Sequence, residues 1–252
     1  MEPTLLDPRT RRGFLYALDR EELSEVLNGA RDRAAWALLS ADDPLYPAVR
    51  DGLRQFTYDP PRAKTVLAEV GWTVAPDGSL RHSSDGRRLR TAVWGTPGRE
   101  QETILYASYW RALGMEVEEY MTPPARVRDR EFRASFPGWV FTGGNLLKIM
   151  SDPAAAPGNR WRGNENGYEN PRAGALVDAL EGTIVESERL QAMKAINDHF
   201  MAEFPVLPVF FLLQYTAVYR SVKAFDDIAG ADGHERVYGG YARNAYLCDI
   251  VN

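Results

Sequence analysis

The sequence predicts an α/β chain in which helices pack on a central mixed sheet containing a βαβ unit. Three observations carry that reading. Residues 89–93 alternate apolar and polar, residues 98–113 carry a helical apolar stripe, and residues 115–120 alternate again. Strand, helix and strand within about 30 residues make a βαβ unit, so the two strands should run parallel with a right-handed crossover. Asp7-Pro8, Asp59-Pro60 and Asn170-Pro171 each set a capping side chain before a proline, which marks a helix start. Residues 206–219 are a nearly unbroken apolar run, suited to a buried strand or strand pair.

Taken in order, the first helix should open at Asp7-Pro8 and run to about Leu27 on Phe14, Leu15, Leu18, Val26 and Leu27, with Asn28-Gly29 as its stop. Residues 31–57 read as irregular. The second helix opens at Asp59-Pro60, buries Ala63, Val66, Leu67 and Val70, and ends at Gly71. Pro76-Asp77-Gly78 and Ser84-Asp85-Gly86 are turns around short strands. Leu89, Thr91 and Val93 should form a strand with one buried face. The helix over 98–113 has Ile104, Ala107, Trp110 or Arg111, and Leu113 on or near one side, and Gly114 closes it. Residues 121–135 read as a short helix plus loop, and residues 136–142 as a buried strand. A long loop over 151–170 precedes the helix at Asn170-Pro171. Loops of that length are functional or disordered. A last helix, capped by Ser187, should bury Leu190, Met193, Ile196, Phe200, Met201 and Phe204. Residues 221–252 read as a turn-rich tail.

Composition excludes several classes. The chain is 26% charged and 44% hydrophobic, with a net charge of −5. That is ordinary globular usage with no basic footprint, so no nucleic acid is expected as a partner. Its one cysteine, Cys248, forbids an intrachain disulfide. No apolar run reaches the length of a membrane span. Met1-Glu2-Pro3-Thr4 lacks the pattern of a signal peptide, so none is expected at this start.

Little in the chain points to catalysis. His82, His199 and His234 lack the spacing of a helical metal site and read as surface or structural residues. Asp42-Asp43, Glu118-Glu119 and Asp226-Asp227 are adjacent pairs, which read as solvated charge. There is no G-x-S-x-G elbow. No cofactor and no metal site are expected. Phe141-Thr142-Gly143-Gly144-Asn145 is different in kind. Two glycines at a strand end allow close backbone approach, which fits a tight turn or a ligand-facing loop; a phosphate loop would need a Lys-Ser or Lys-Thr after them. Trp161, Asn164 and Tyr168 lie in an aromatic and amide-rich loop that could supply stacking and hydrogen bonds to a ligand, or be anchored by one buried Trp.

Six segments in series resemble the family 5 extracellular solute-binding proteins, the peptide and nickel receptors of ABC importers. They are Arg12-Gly13-Phe14-Leu15-Tyr16-Ala17-Leu18-Asp19-Arg20-Glu21, the stretch from Tyr58-Asp59-Pro60 to Gly71-Trp72, Arg111-Ala112-Leu113-Gly114-Met115-Glu116-Val117, Asn164-Glu165-Asn166-Gly167-Tyr168-Glu169-Asn170-Pro171, Glu188-Arg189 ahead of Ile196, and Pro205-Val206-Leu207-Pro208-Val209. The resemblance implies a type II periplasmic-binding-protein-like lobe over 1–220 and a return segment over 221–252 toward a first lobe. It implies a non-catalytic trap for a peptide or other small solute. Its partners would be an N-terminal lobe and an ABC permease, and its location extracytoplasmic. The implied ligand-binding residues are Trp139, Phe141, Thr142, Gly143, Gly144, Asn145, Trp161, Asn164 and Tyr168. Peptide-binding members carry G-W-x-x-D, whose aspartate pairs with a peptide amine. Here Gly138-Trp139-Val140-Phe141-Thr142 puts a hydroxyl in that place. Other readings are a cytoplasmic ligand-sensing or regulatory domain of the same fold, or a small-molecule hydrolase.

Overall fold

The computed structural model describes residues 3–41, 43, 45–53, 55–141, 167–212, 222–223 and 249–250. Chain order begins with α1 (Pro8–Tyr16), α2 (Arg20–Asn28), a short α3 (Pro47–Arg50) and α4 (Pro60–Ala68). The strands β1 (Trp72–Val74) and β2 (Leu80–His82) follow, then β3 (Arg90–Gly95), α5 (Glu100–Leu113) and β4 (Glu116–Met121). The short α6 (Arg130–Ala134) leads to β5 (Trp139–Val140). After residues outside the description come α7 (Pro171–Glu181), α8 (Glu186–Glu203), β6 (Val222–Lys223) and β7 (Asp249–Ile250).

The caps account for most of the helix starts. Asp7, Asp59 and Asn170 each accept a hydrogen bond from a first-turn N–H, ahead of proline. Two expectations are corrected. The first long helix is two: α1 ends with Ala17 as its C-cap, and Asp19, in extended geometry, accepts from Glu22 N at 2.9 Å to start α2 afresh. The break lets α1 and α2 bury different faces, with Phe14 and Leu15 on one and Leu23 on the other. The last helix is not capped by Ser187. It starts at Glu186, and Thr183 Oγ1 accepts from Val185 N at 3.3 Å while donating to Glu188 at 2.5 Å.

β3 is the centre of a three-stranded parallel sheet with the order β4-β3-β5. The βαβ unit is present, with Arg90 opposite Glu116 and Trp94 opposite Tyr120. The antiparallel pairs, β1 with β2 and β6 with β7, form separate two-stranded sheets. β3 was expected to bury one face, yet Thr91, Ala92 and Val93 are all buried. A central parallel strand is covered on both sides. α5 covers one face through Ala107, Trp110 and Leu113. α6 covers the other, where Phe132 stacks 5.1 Å from Trp94. Ile104, expected near the buried side of α5, is 53% exposed. Residues 136–142 contribute a strand of only two residues. Of the apolar run 206–219, the described part makes a single bridge, Ala34 with Phe210, rather than a strand.

Gly114 closes α5 at φ 105 and lies so close to the Gly78 carbonyl that a Cβ would strike it, so the hairpin packs directly on this turn. One core joins α1, α2, α4, α5 and the sheet, and a second joins α3, α7 and α8. Leu15, Phe56 and Phe204 make a third cluster, toward which residues of α1 and α8 both turn.

Two arginines hold the long connections. Arg20 is 2% exposed and donates to the carbonyls of Ala35 at 2.5 Å, Pro208 at 3.1 Å and Phe56. Its guanidinium also lies 4.3 Å from the Trp36 ring centroid. Burial pulls its pKa down to about 10. Arg11 donates twice to the Glu203 carbonyl, at 2.8 and 2.5 Å, at the C-terminal end of α8. A cation there meets the negative end of the helix dipole.

Candidate functional site

The sheet presents the carboxyl ends of its parallel strands along one edge. The residues after β3 are Thr96-Pro97-Gly98-Arg99, those after β4 are Thr122-Pro123-Pro124, and Phe141 follows β5. The chain leaves β3 for α5 on one face and leaves β4 toward α6 on the other. Adjacent parallel strands whose connections diverge in this way open a crevice at their carboxyl ends. The crevice is present as a shallow depression of about 340 Å³ lined by Thr96, Pro97, Pro124, Ala125, Val127 and Arg128.

Beside it, Trp139 and Phe141 belong to an aromatic column. Trp139 lies 5.3 Å from Phe14 and 5.6 Å from Trp110, and Phe141 lies 5.3 Å from Tyr106. Trp110 Nε1 donates to the Phe14 carbonyl at 3.1 Å, which fixes the column to α1. Both site residues point the same way from β5. Both remain half-buried. The indole N–H of Trp139 is enclosed without a hydrogen-bond partner among the described residues. Gly138 sets this strand against β3: a Cβ there would come within 2.6 Å of the Ala92 nitrogen and 2.7 Å of Thr91 Oγ1. Arg99 stands over Phe141 at 5.6 Å and is ion-paired with Glu102 at 2.6 Å. Burial drives the pKa of the Tyr106 phenol well up, and the Glu102 charge adds to the shift.

Tyr168 lies elsewhere. It packs in the core of α3, α7 and α8, with its hydroxyl 2.8 Å from His199 Nε2. Burial lowers the His199 pKa, favouring the neutral ring. His82 is held by Ser84 at 2.7 Å in the β1–β2 hairpin. Thr142, Gly143, Gly144, Asn145, Trp161 and Asn164 lie outside the described residues, as do His234 and Cys248. Among the described residues, no three His, Cys, Asp or Glu side chains converge as metal ligands would. No described helix is long and apolar enough to cross a membrane.

Reading the sequence alone missed the crevice residues Thr96 and Arg128 and the pairing of Arg99 with Glu102. The only signal was positional: Thr96-Pro97-Gly98 and Pro123-Pro124 follow predicted strands, where α/β chains place ligands.

An α/β lobe with a crevice at the carboxyl ends of parallel strands defines a class of ligand-binding domains. The profile of the bacterial extracellular solute-binding proteins, family 5 (middle region), matches residues 2–152. The chain belongs to that family. Heme-binding protein A of Haemophilus influenzae is 23% identical over 246 residues, covering 92% of this chain and 41% of the relative. Di/tripeptide-binding protein 2 of Pseudomonas aeruginosa is 25% identical over 229 residues, covering 87% and 40%. The chain thus spans about two fifths of the length of these curated relatives. The oligopeptide-binding protein AppA of Bacillus subtilis, solved with a nonapeptide, superposes with a TM-score of 0.70 at 19% identity, over 99% of this chain and 48% of that one. NikZ of Campylobacter jejuni, solved with Ni(L-His), gives 0.66 at 19% identity, over 84% and 43%. The fold is therefore that of the type II periplasmic binding proteins of family 5.

Proposed function

We propose that this chain supplies one wall of the solute site of an ABC-importer receptor that works outside the cytoplasm and catalyses nothing. The observation that carries the reading is the half-buried Trp139–Phe141 shelf at the carboxyl edge of the sheet, in a chain of this family. An N-terminal lobe supplies the opposing wall, the segment 221–252 returns toward it, and a membrane permease receives the closed complex. The loop residues Thr142, Gly143, Gly144, Asn145, Trp161 and Asn164 complete the shelf, with Tyr168 as their anchor on α8. The solute is a peptide or another small molecule. Thr142 offers a neutral hydroxyl where a carboxylate would hold a free amine, so a peptide amine is gripped weakly here. A charge-assisted bond is worth about 1.5–3 kcal/mol against about 1 for a neutral one.

Tryptophan fluorescence of the chain, titrated with tripeptides, haem and a nickel–histidine complex, tests this. A saturable response to at least one, weakened by Trp139→Phe, is expected. With one wall only, binding is weak, because such sites enclose most of their ligand. No saturable response to any of the three, in a chain folded by circular dichroism, refutes the proposal.

A further inference from the structure

We infer that Ser84 is an acyl-acceptor site, a surface hydroxyl that His82 activates toward activated esters. The pair lies in the turn that joins β2 to β3, at the other end of β3 from the crevice. It takes one acyl group per chain, so it modifies the protein and does not act on a solute. Ser84 Oγ lies 2.7 Å from His82 Nδ1, and the Ser84 backbone N–H donates to the same nitrogen at 3.3 Å. An amide nitrogen can only donate, so Nδ1 carries the lone pair and the ring proton sits on Nε2. The shorter contact is therefore Oγ–H donating to Nδ1, the relation of a nucleophile to its general base.

The turn holds the pair in register. His82 N donates to the Arg87 carbonyl at 2.9 Å, and the His82 carbonyl accepts from Gly86 N at 2.8 Å, which closes the loop on itself. The imidazole meets the Trp72 ring edge to face at 4.9 Å. Its Nε2 lies so near Gly71 that a Cβ there would come within 2.7 Å, so the ring is wedged. Ser84 is exposed, and an ester can reach it. The neighbouring charges suit a proton transfer to His82. Asp85 is held below the usual carboxylate range, first by the Arg87 N–H and further by the Arg87 and His82 charges, so an anion stands beside the imidazolium that forms. Arg87, which would oppose that cation, is ion-paired with Asp85 at 2.8 Å. On attack, Ser84 Oγ bonds to the ester carbonyl carbon while its proton passes to Nδ1. The bond from that carbon to the leaving phenol oxygen then breaks, and the proton goes on to the phenolate. One ester and one serine give one acylated serine and one phenol, with nothing oxidised or reduced.

Incubation of the full chain with p-nitrophenyl acetate near neutral pH, followed by an acid quench and tandem mass spectrometry, tests this. Ser83 is the internal control, since it is next in the chain, equally exposed, and its hydroxyl makes no bond with a described residue. The acetyl group is expected on Ser84 at least about tenfold faster than on Ser83, within what a positioned base contributes. His82→Gln should remove that advantage, and Ser84→Ala should remove the fast label. Because His82 packs on Trp72, the fold of the Gln variant is checked by circular dichroism. If that variant unfolds, the parent chain decides: its labelling rate should rise with pH along the His82 titration followed by nuclear magnetic resonance, and level off once the ring is neutral. Equal labelling of the two serines, an advantage that survives His82→Gln, a rate indifferent to the His82 titration, or acetyl found on the imidazole instead of on Ser84 overturns the assignment.

Discussion

Replacing Arg20 by Met should loosen the segments that connect the helices, and its cost can be worked out. Arg20 donates to three carbonyls, those of Ala35, Phe56 and Pro208, which lie on three separate stretches of irregular chain. A hydrogen bond to a charged group contributes about 1.5–3 kcal/mol, so the gross loss is several kcal/mol. The lost stacking on Trp36 adds to it. Against this, the variant no longer desolvates a guanidinium, a penalty also of several kcal/mol, and the Met stem refills part of the volume. The remaining cost is the three carbonyls left without donors, for a net of about 2–4 kcal/mol. In a domain of this size each kcal/mol lowers the melting temperature by about 2–4 °C, so a fall of about 4–16 °C is expected. Arg20→Lys should recover less than half, because a single ammonium on a shorter stem cannot span three acceptors. Thermal unfolding by circular dichroism measures the fall, and limited proteolysis over residues 31–57 shows where the chain loosens. A Met variant melting within about 2 °C of the parent, or a Lys variant as stable as Arg, would refute the latch.

Gly138→Ala should cost about 1–3 kcal/mol in urea unfolding, since its Cβ would press on the backbone of β3, and it should shift the Trp139 fluorescence. Thr183→Ala should cost about 0.5–1 kcal/mol while Ser187→Ala changes stability little; equal effects would mean the start of α8 has been misplaced. Stability should fall with acid through His199. Its folded pKa lies below its unfolded value near 6.5, so the unfolded chain binds the extra proton first, and stability present above about 6.5 is lost as the pH drops toward the folded value. Tyr168, Glu203 and Arg172 are the groups facing it, and Glu203 opposes the shift. Urea midpoints compared at neutral and mildly acidic pH should show a shallower dependence in His199→Gln; an unchanged slope would assign the effect to another group.

What the sequence reveals here is local chemistry with one outcome. Asp7-Pro8, Asp59-Pro60 and Asn170-Pro171 start helices wherever they stand, because the cap and the proline both act within a single turn. The strand–helix–strand pattern from β3 to β4 was legible for the same reason. The break at Ala17 was not, although Asp19 was in view. Leu18 continues the apolar spacing, and nothing local says that the chain must turn there to bring Arg20 under the connections. Nor could alternation in β3 reveal a second covered face. Ala92 is small enough to be buried on either, and the cover on its side comes from far along the chain, where Phe132 of α6 meets the neighbouring Trp94.

The candidate site divides along the same line. Phe141 was picked out for its place beside a glycine pair and Trp139 for its place in the Gly138-Trp139-Val140-Phe141-Thr142 match, and their two-residue spacing does put them on one side of β5. Tyr168 was grouped with them because its loop is rich in aromatics and amides, yet its ring belongs to the α7–α8 core and its hydroxyl to His199. The link from the helical opening to the site runs through Phe14, which in sequence is only one apolar position in a helix. Its carbonyl holds the Trp110 indole and its ring touches Trp139. The shelf at the carboxyl edge is therefore set by α1 and α5 together, and a substitution at Phe14 should disturb Trp139 although 125 positions separate them in the chain. Among the described residues the shelf rests on the packed rings of Phe14, Tyr106 and Trp110, and packing of that kind fixes a surface in advance, as the proposed solute site requires.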